Sequence, residues 1–146
     1  MRDASVMLII FNGLILAVSR RNNSNLFGLP GGKREPDETH MEAAVRETKE
    51  ETGITVKSCV KIFERVEEPI TPDGLPFYTH CFYATEWSGR PVNSEEGVVE
   101  WMFESELTRT LEEGGKGAFA NYNKQTLAAF RKLFPDVVVL STIIKE

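Results

Sequence analysis

Glu47, Glu50 and Glu51 stand three and four residues apart, just ahead of Gly53. On a helix this spacing crowds three carboxylates onto one stripe. Like charges so placed cost an isolated helix about 0.2–0.5 kcal/mol per pair. The same cluster becomes favourable once a hard divalent cation binds it through oxygen. The stripe therefore reads as a metal platform, and such a platform serves to neutralise phosphate charge and to activate water.

The flanking residues supply the helix. Thr39 is placed as an N-cap and Glu42 follows three residues later, the spacing of a capping box; the helix is expected over 40–52, stopping at Gly53. Met41, Ala44, Val45, Thr48 and Thr52 recur at helical spacing and form its buried stripe. Glu42 with Arg46, and Arg46 with Glu50, fall at the favourable i, i+4 spacing. Ahead of the helix, the run from Leu26 to Gly32 is rich in glycine, which lets backbone approach a ligand closely.

The remaining elements form a mixed α/β pattern. Val6 to Phe11 and Leu14 to Val18 are β-rich runs joined by Asn12-Gly13, so the chain is expected to open as a hairpin, with a basic loop over 20–24. Ile54 to Val66 and Phe77 to Trp87 read as a second antiparallel pair, separated by a loop holding Pro69, Pro72 and Gly74. Val98 to Phe103 reads as a short strand, Ser105 as the cap of a brief helix through Leu111, and Tyr122 to Phe134 as the last helix. The β-prone tail, Val137 to Leu140 with Ile143 and Ile144, is expected either as an edge strand of the domain's own sheet or as a surface packed on a second subunit. The first is favoured because exposed edges are usually managed internally.

Composition bounds the rest. A chain of 146 residues, 41% hydrophobic and 10% aromatic, fits a single domain over 1–146 with one core. The net charge of −5 argues against a nucleic-acid polymer as partner. Cys59 and Cys81 are too few and too far apart for a zinc cluster or a disulfide framework, and both are expected as reduced thiols. Neither a signal peptide nor a membrane span is legible, so the expectation is a soluble, cytoplasmic protein, monomer or homodimer, that does not engage membranes. His80 and Cys81 alternate along one strand onto opposite faces and do not form a dyad, while His40 is expected in solvent.

Residues 32–54 read GKREPDETHMEAAVRETKEETGI. This segment resembles the Nudix box of the MutT-like hydrolases: Gly32, Glu38, Arg46, Glu47, Glu50, Glu51, Gly53 and Ile54 match, and Thr48 stands where the pattern has an apolar residue. The resemblance implies an α/β/α sandwich around a mixed β-sheet, and hydrolysis of a nucleoside diphosphate linked to another group with Mg²⁺ or Mn²⁺ on the helix glutamates. It implies Glu47, Glu50 and Glu51 as ligands, Glu38 as a further ligand or a neighbour of the cap, and Arg46 as the organiser of the carboxylates. Gly31 either lends its carbonyl to the metal or only makes the turn. Glu96, then Glu95, resembles the downstream loop carboxylate that serves as general base in such enzymes, set against two solvated loop residues.

For the substrate, a small nucleotide, Asn121 and Asn123 stand where MutT-like members place a base-reading Asn; the competing and slightly favoured reading of each is a helix cap. Phe27, Phe77, Tyr78 and Phe119 are candidates to stack on a base, or core residues. Arg20 and Arg21 either meet phosphates or form a solvated face. The leading expectation is a pyrophosphohydrolase acting on an NTP or dNTP, oxidised dGTP included. The alternatives are an ADP-ribose or nucleotide-sugar pyrophosphatase, hinted at by Pro69, and a non-catalytic nucleotide sensor, disfavoured by the complete glutamate set.

Overall fold

Apolar side chains alternate so regularly along three strands that two separate cores form, one on each side of the strand layer. The computed structural model describes residues 2–67, 77–95 and 97–141. Along the chain run β1 (Arg2–Leu8), β2 (Ile10–Phe11), β3 (Leu14–Arg20), β4 (Asn23–Gly28), β5 (Gly31–Gly32), α1 (His40–Thr52), β6 (Thr55–Glu67), β7 (Phe77–Ser88), β8 (Val99–Met102), α2 (Glu104–Leu107) and α3 (Ala120–Leu133). Met7, Leu16, Phe82 and Ala84 point to one face and pack with Ala44 of α1. Leu8, Ile15, Ala17 and Cys81 point to the other and pack with Tyr122, Leu127 and Phe130 of α3. Side chains that alternate with period two commit a strand to both faces at once, which is why a helix covers each side.

The strands form two sheets. One has the order β5-β1-β7-β6, mixed because β1 and β7 run parallel while the other pairs are antiparallel. In the other, Ile15 pairs with both Ile10 and Met102, and Val18 with both Gly28 and Val99, so β2 and β4 share one edge of β3 and β8 takes the opposite edge. The expected opening hairpin is thus shorter than its hydrophobic pattern. Ile10 and Phe11 pair with Ile15 and Leu14 across a turn at Asn12 (φ 51°) and Gly13 (φ 81°), whereas Val6 to Leu8 pair with β7 in the other sheet. The segment expected as a loop over 20–24 narrows to a turn at Arg21 and Asn22, with β4 already begun at Asn23.

Three further expectations are corrected. Met41 is exposed and Ala43 takes its place in the buried face of α1, where small side chains let the helix approach the strands. The brief helix begins at Glu104 after an extended Phe103, not at a Ser105 cap, and ends at Leu107. Residues 137–141 form no strand: Val137 and Val139 pack on the core beneath α3, and the Leu140 amide donates to the Gly13 carbonyl at 2.8 Å. Pro69, Pro72, Gly74, Ile143 and Ile144 lie outside the described residues. Among those described, no helix is long and apolar enough to cross a membrane.

His40 does not stand in solvent. Its ring stacks on that of His80 at 3.7 Å between centroids, and its Nδ1 lies 3.1 Å from the Ser5 hydroxyl. His80 itself is buried, and burial followed by repulsion from His40 pushes its pKa down from 6.5 to about 4. Folding is then favoured with His80 neutral, so stability is present above pH 6.5 and is lost as pH falls from 6.5 towards 4. In urea titrations across this range, His80→Phe is expected to flatten the fall; a variant that keeps the wild-type slope would clear His80 of that role.

Candidate active site

The glutamate stripe is held by a helix locked at both ends. The Thr39 hydroxyl accepts from the Glu42 amide at 3.1 Å, and the Glu42 carboxylate accepts from the Thr39 amide at 2.9 Å. That reciprocal cap commits Glu42, which therefore does not make the expected pair with Arg46. At the far end Gly53 adopts φ 82° and Lys49 donates to its carbonyl at 3.2 Å, a cation where the helix dipole favours one. Thr48 is fully buried where the pattern has an apolar residue; the Thr52 hydroxyl donates to its backbone carbonyl at 2.6 Å, while the Thr48 hydroxyl meets no hydrogen-bond partner among the described residues.

Arg46 binds the carboxylates together. Its Nε and Nη2 donate to the two oxygens of Glu38 at 3.1 and 2.6 Å, a bidentate fork. Nη1 donates to Glu47 at 2.9 Å and reaches Glu50 at 3.4 Å, and Nη2 also donates to the Lys33 carbonyl at 3.2 Å. The Glu38 carboxylate is held down to about 2, first by Arg46 and then by the Glu35 amide, against the opposing pull of burial. Arg46 in turn is raised above its ordinary value, chiefly by Glu38.

The strand facing this cluster is made of glycine for a steric reason. A Cβ at Gly32 would lie 2.6 Å from the Glu47 carboxyl carbon, and one at Gly31 would lie 2.2 Å from the Ser5 carbonyl oxygen. Bare backbone therefore presses against the carboxylates, and the Gly31 amide donates to Glu51 at 2.6 Å. Gly31 thus meets the cluster through its N–H.

Glu47, Glu50 and Glu51 form one wall of a cavity of about 720 Å³. The turn residues Arg20, Arg21 and Asn22 form a second wall, and Phe119, Tyr122 and Asn123 a third. The Arg20 guanidinium lies 5.0 Å over the Phe119 ring, and the buried Asn123 amide donates to the Leu107 carbonyl at 3.0 Å.

Other expected residues stand elsewhere. Asn121 is exposed and does not line the cavity, Phe27 is buried in the core beneath α3, and Tyr78 sits beside His80 at 4.4 Å. Its neighbour Thr79 lines the cavity instead, and Ser19 of β3 does too. Strand alternation, which had already separated His80 from Cys81, was the signal for Thr79. Glu95 is exposed and off the lining, while Glu96 lies outside the described residues.

Among the described residues no three acidic, imidazole or thiol groups stand ready to grip an ion. The donor set nevertheless fits Mg²⁺ or Mn²⁺, because Glu47, Glu50 and Glu51 offer only carboxylate oxygen to the cavity. Arg46 meets part of their charge from the Glu38 side.

The family model of the NUDIX domain matches residues 1–122. The chain belongs to the NUDIX family. It is 40% identical over 80 residues to the 8-oxo-dGTP diphosphatase of Escherichia coli K12, a stretch covering 54% of this chain and 59% of that protein. It is 38% identical over 95 residues to the RNA pyrophosphohydrolase of Erythrobacter litoralis, covering 64% of this chain and 55% of that one. The NUDIX chain thus spans less than two thirds of the length of these relatives. The solution structure of the E. coli ORF135 protein has the same fold, with a TM-score of 0.71 at 24% identity over 94% of this chain and 95% of that one.

The Glu38–Arg46 fork has a pH signature. Because Glu38 is depressed from 4.5 to about 2, the fork stabilises the NUDIX fold above pH 4.5 and ceases to do so as pH falls towards 2. The gap in urea midpoint between wild type and Glu38→Gln is expected to be widest above pH 4.5 and to close towards pH 2. A gap independent of pH would show that the fork adds no linkage.

Proposed function

We propose that this chain is a divalent-cation-dependent pyrophosphohydrolase that splits a nucleoside triphosphate, ribo or deoxy and oxidised guanine included, into monophosphate and pyrophosphate. It acts on free nucleotides in the cytoplasm as a monomer or homodimer. The observation that carries this reading is a single cavity lined by three carboxylates, by Arg20 and Arg21, and by Phe119 and Asn123. The relatives' names point to the same class of bond.

Glu47, Glu50 and Glu51 would hold Mg²⁺ or Mn²⁺, with Gly31 steadying Glu51 through its amide and Glu38 steadying the cluster through Arg46. When bound, the cation neutralises phosphoanhydride oxygens and acidifies water. The protein's own contribution is positional. Arg46 keeps the carboxylates from splaying apart, so their lone pairs meet the cavity preorganised. Arg20 and Arg21, which line the same cavity, bring positive charge to a phosphate. The Phe119 face, 44% exposed, offers a stacking surface for a base, and Asn123 contacts the base edge. Glu96 takes the proton of the attacking water.

The test is a hydrolysis screen with products identified, run across NTPs, dNTPs, oxidised dGTP, ADP-ribose, nucleotide sugars and dinucleoside polyphosphates. Release of pyrophosphate from a triphosphate is expected; release of AMP from ADP-ribose alone would move the substrate to the sugar-linked class. Glu50→Gln and Glu51→Gln should each lower kcat by on the order of 10²-fold or more, with circular dichroism unchanged. Wild-type kcat at saturating Mg²⁺ would remove them from the metal site. In Glu96→Gln the acidic limb of the pH–rate profile, where a free carboxylate base protonates, should disappear; an unaltered profile places the base elsewhere.

A further inference from the structure

We propose that residues 137–141 are a positioning strap for the cavity, acting through α2 on the side chain of Asn123. A helix of four residues has few internal hydrogen bonds, and α2 carries no side-chain cap on its leading amides. The strap supplies what is missing: the Glu104 amide donates to the Leu140 carbonyl at 3.0 Å, and the Ser105 amide to the Ser141 carbonyl at 2.8 Å. The strap is itself pinned. Its Leu140 amide donates to the Gly13 carbonyl at 2.8 Å, and a Cβ at Gly13 would lie 2.7 Å from Leu140 Cγ, so side chain and turn interlock. From α3, Arg131 grips the Glu104 carboxylate through both terminal nitrogens.

The opposite end of α2 meets a residue that lines the cavity. The carbonyl of the buried Leu107 accepts from the Asn123 amide at 3.0 Å, and Asn123 is only 3% exposed. With one N–H of its amide committed there, Asn123 keeps its carbonyl oxygen to offer a ligand. The backbone leading to Phe119 rests on the same carbonyl, since a Cβ at Gly117 would lie 2.1 Å from it. The Lys116 amide also donates to the Glu106 carbonyl at 2.5 Å. The last peptide of α2 thus holds the Asn123 side chain, and the strap supplies partners for the first two amides of α2. The consequence is binding energy, because a small displacement of a contact group in a preorganised site costs far more than the contact's share of the surface. Its bearing on turnover rests on the nucleotide reading above; the mechanical coupling does not.

The coupling is read in the whole 146-residue chain by ¹H–¹⁵N spectroscopy of the Asn123 side-chain NH₂, assigned by its loss in Asn123→Leu. Solvent exchange of this group should speed up by about tenfold or more in Leu140→Ala and return to the wild-type rate in Leu140→Met. Unchanged exchange in Leu140→Ala overturns the proposal. In turnover of the best nucleotide found, Leu140→Ala should raise KM about tenfold with kcat within about twofold, and the double variant with Asn123→Leu should be no worse than Asn123→Leu alone. Additive losses in the double variant also overturn it. Faster exchange in a protein that hydrolyses no nucleotide would uphold the strap and remove the nucleotide reading instead.

Discussion

A helix can carry this many carboxylates on one side because the Arg46 guanidinium lies among them. Its fork takes both oxygens of Glu38, and its remaining nitrogen reaches Glu47 and Glu50. A lysine could bring the charge but not the planar geometry that joins separate acids at once. Glu38 is not on the helix at all; it comes from the turn before the cap, so the same contact ties the glycine-rich approach to the helix face. Charge repulsion that would otherwise weaken α1 is turned into a fixed arrangement of oxygen atoms.

The rest of the fold supplies what α1 cannot. Both helix ends are capped, so the stripe cannot fray, and Ala43, Ala44, Thr48 and Thr52 seat the helix on the strands. The cavity takes its lining from both sheets and from α1 and α3, and β1 and β3 each carry side chains on both faces. Two small cores, rather than one, leave room between helices for a ligand the size of a nucleotide. Glycine at positions 31 and 32 completes the arrangement by letting a strand touch the carboxylates without side chains.

The elements with local causes were legible in advance: the capping box of α1, its stop at Gly53, the Asn-Gly turn, the β6–β7 pair and the opposed faces of His80 and Cys81. Each follows from a period or a cap within a few residues. Errors fell where partners come from far along the chain. Two residues apart on a helix are nearly opposite, so Asn123 could meet the cavity only if Asn121 did not, and the packing of α3 chose. Tyr78 and Thr79 were sorted in the same way by the pleat of β7. The tail looked like a strand, but its backbone is spent on Gly13 and α2, partners that hydrophobic pattern does not encode.

From residue types and their spacing alone came the acidic stripe, the arginine within it, the helix that bears both and the mixed α/β class, because charge, capping and periodicity act over one or two turns of chain. Tertiary structure alone decided that Arg46 chooses Glu38 over Glu42, that Gly31 meets the cluster through its amide, that His40 lies on His80, and that a strap near the chain's end holds a cavity residue in place. These contacts join residues that only the folding of both layers brings within hydrogen-bonding or stacking distance.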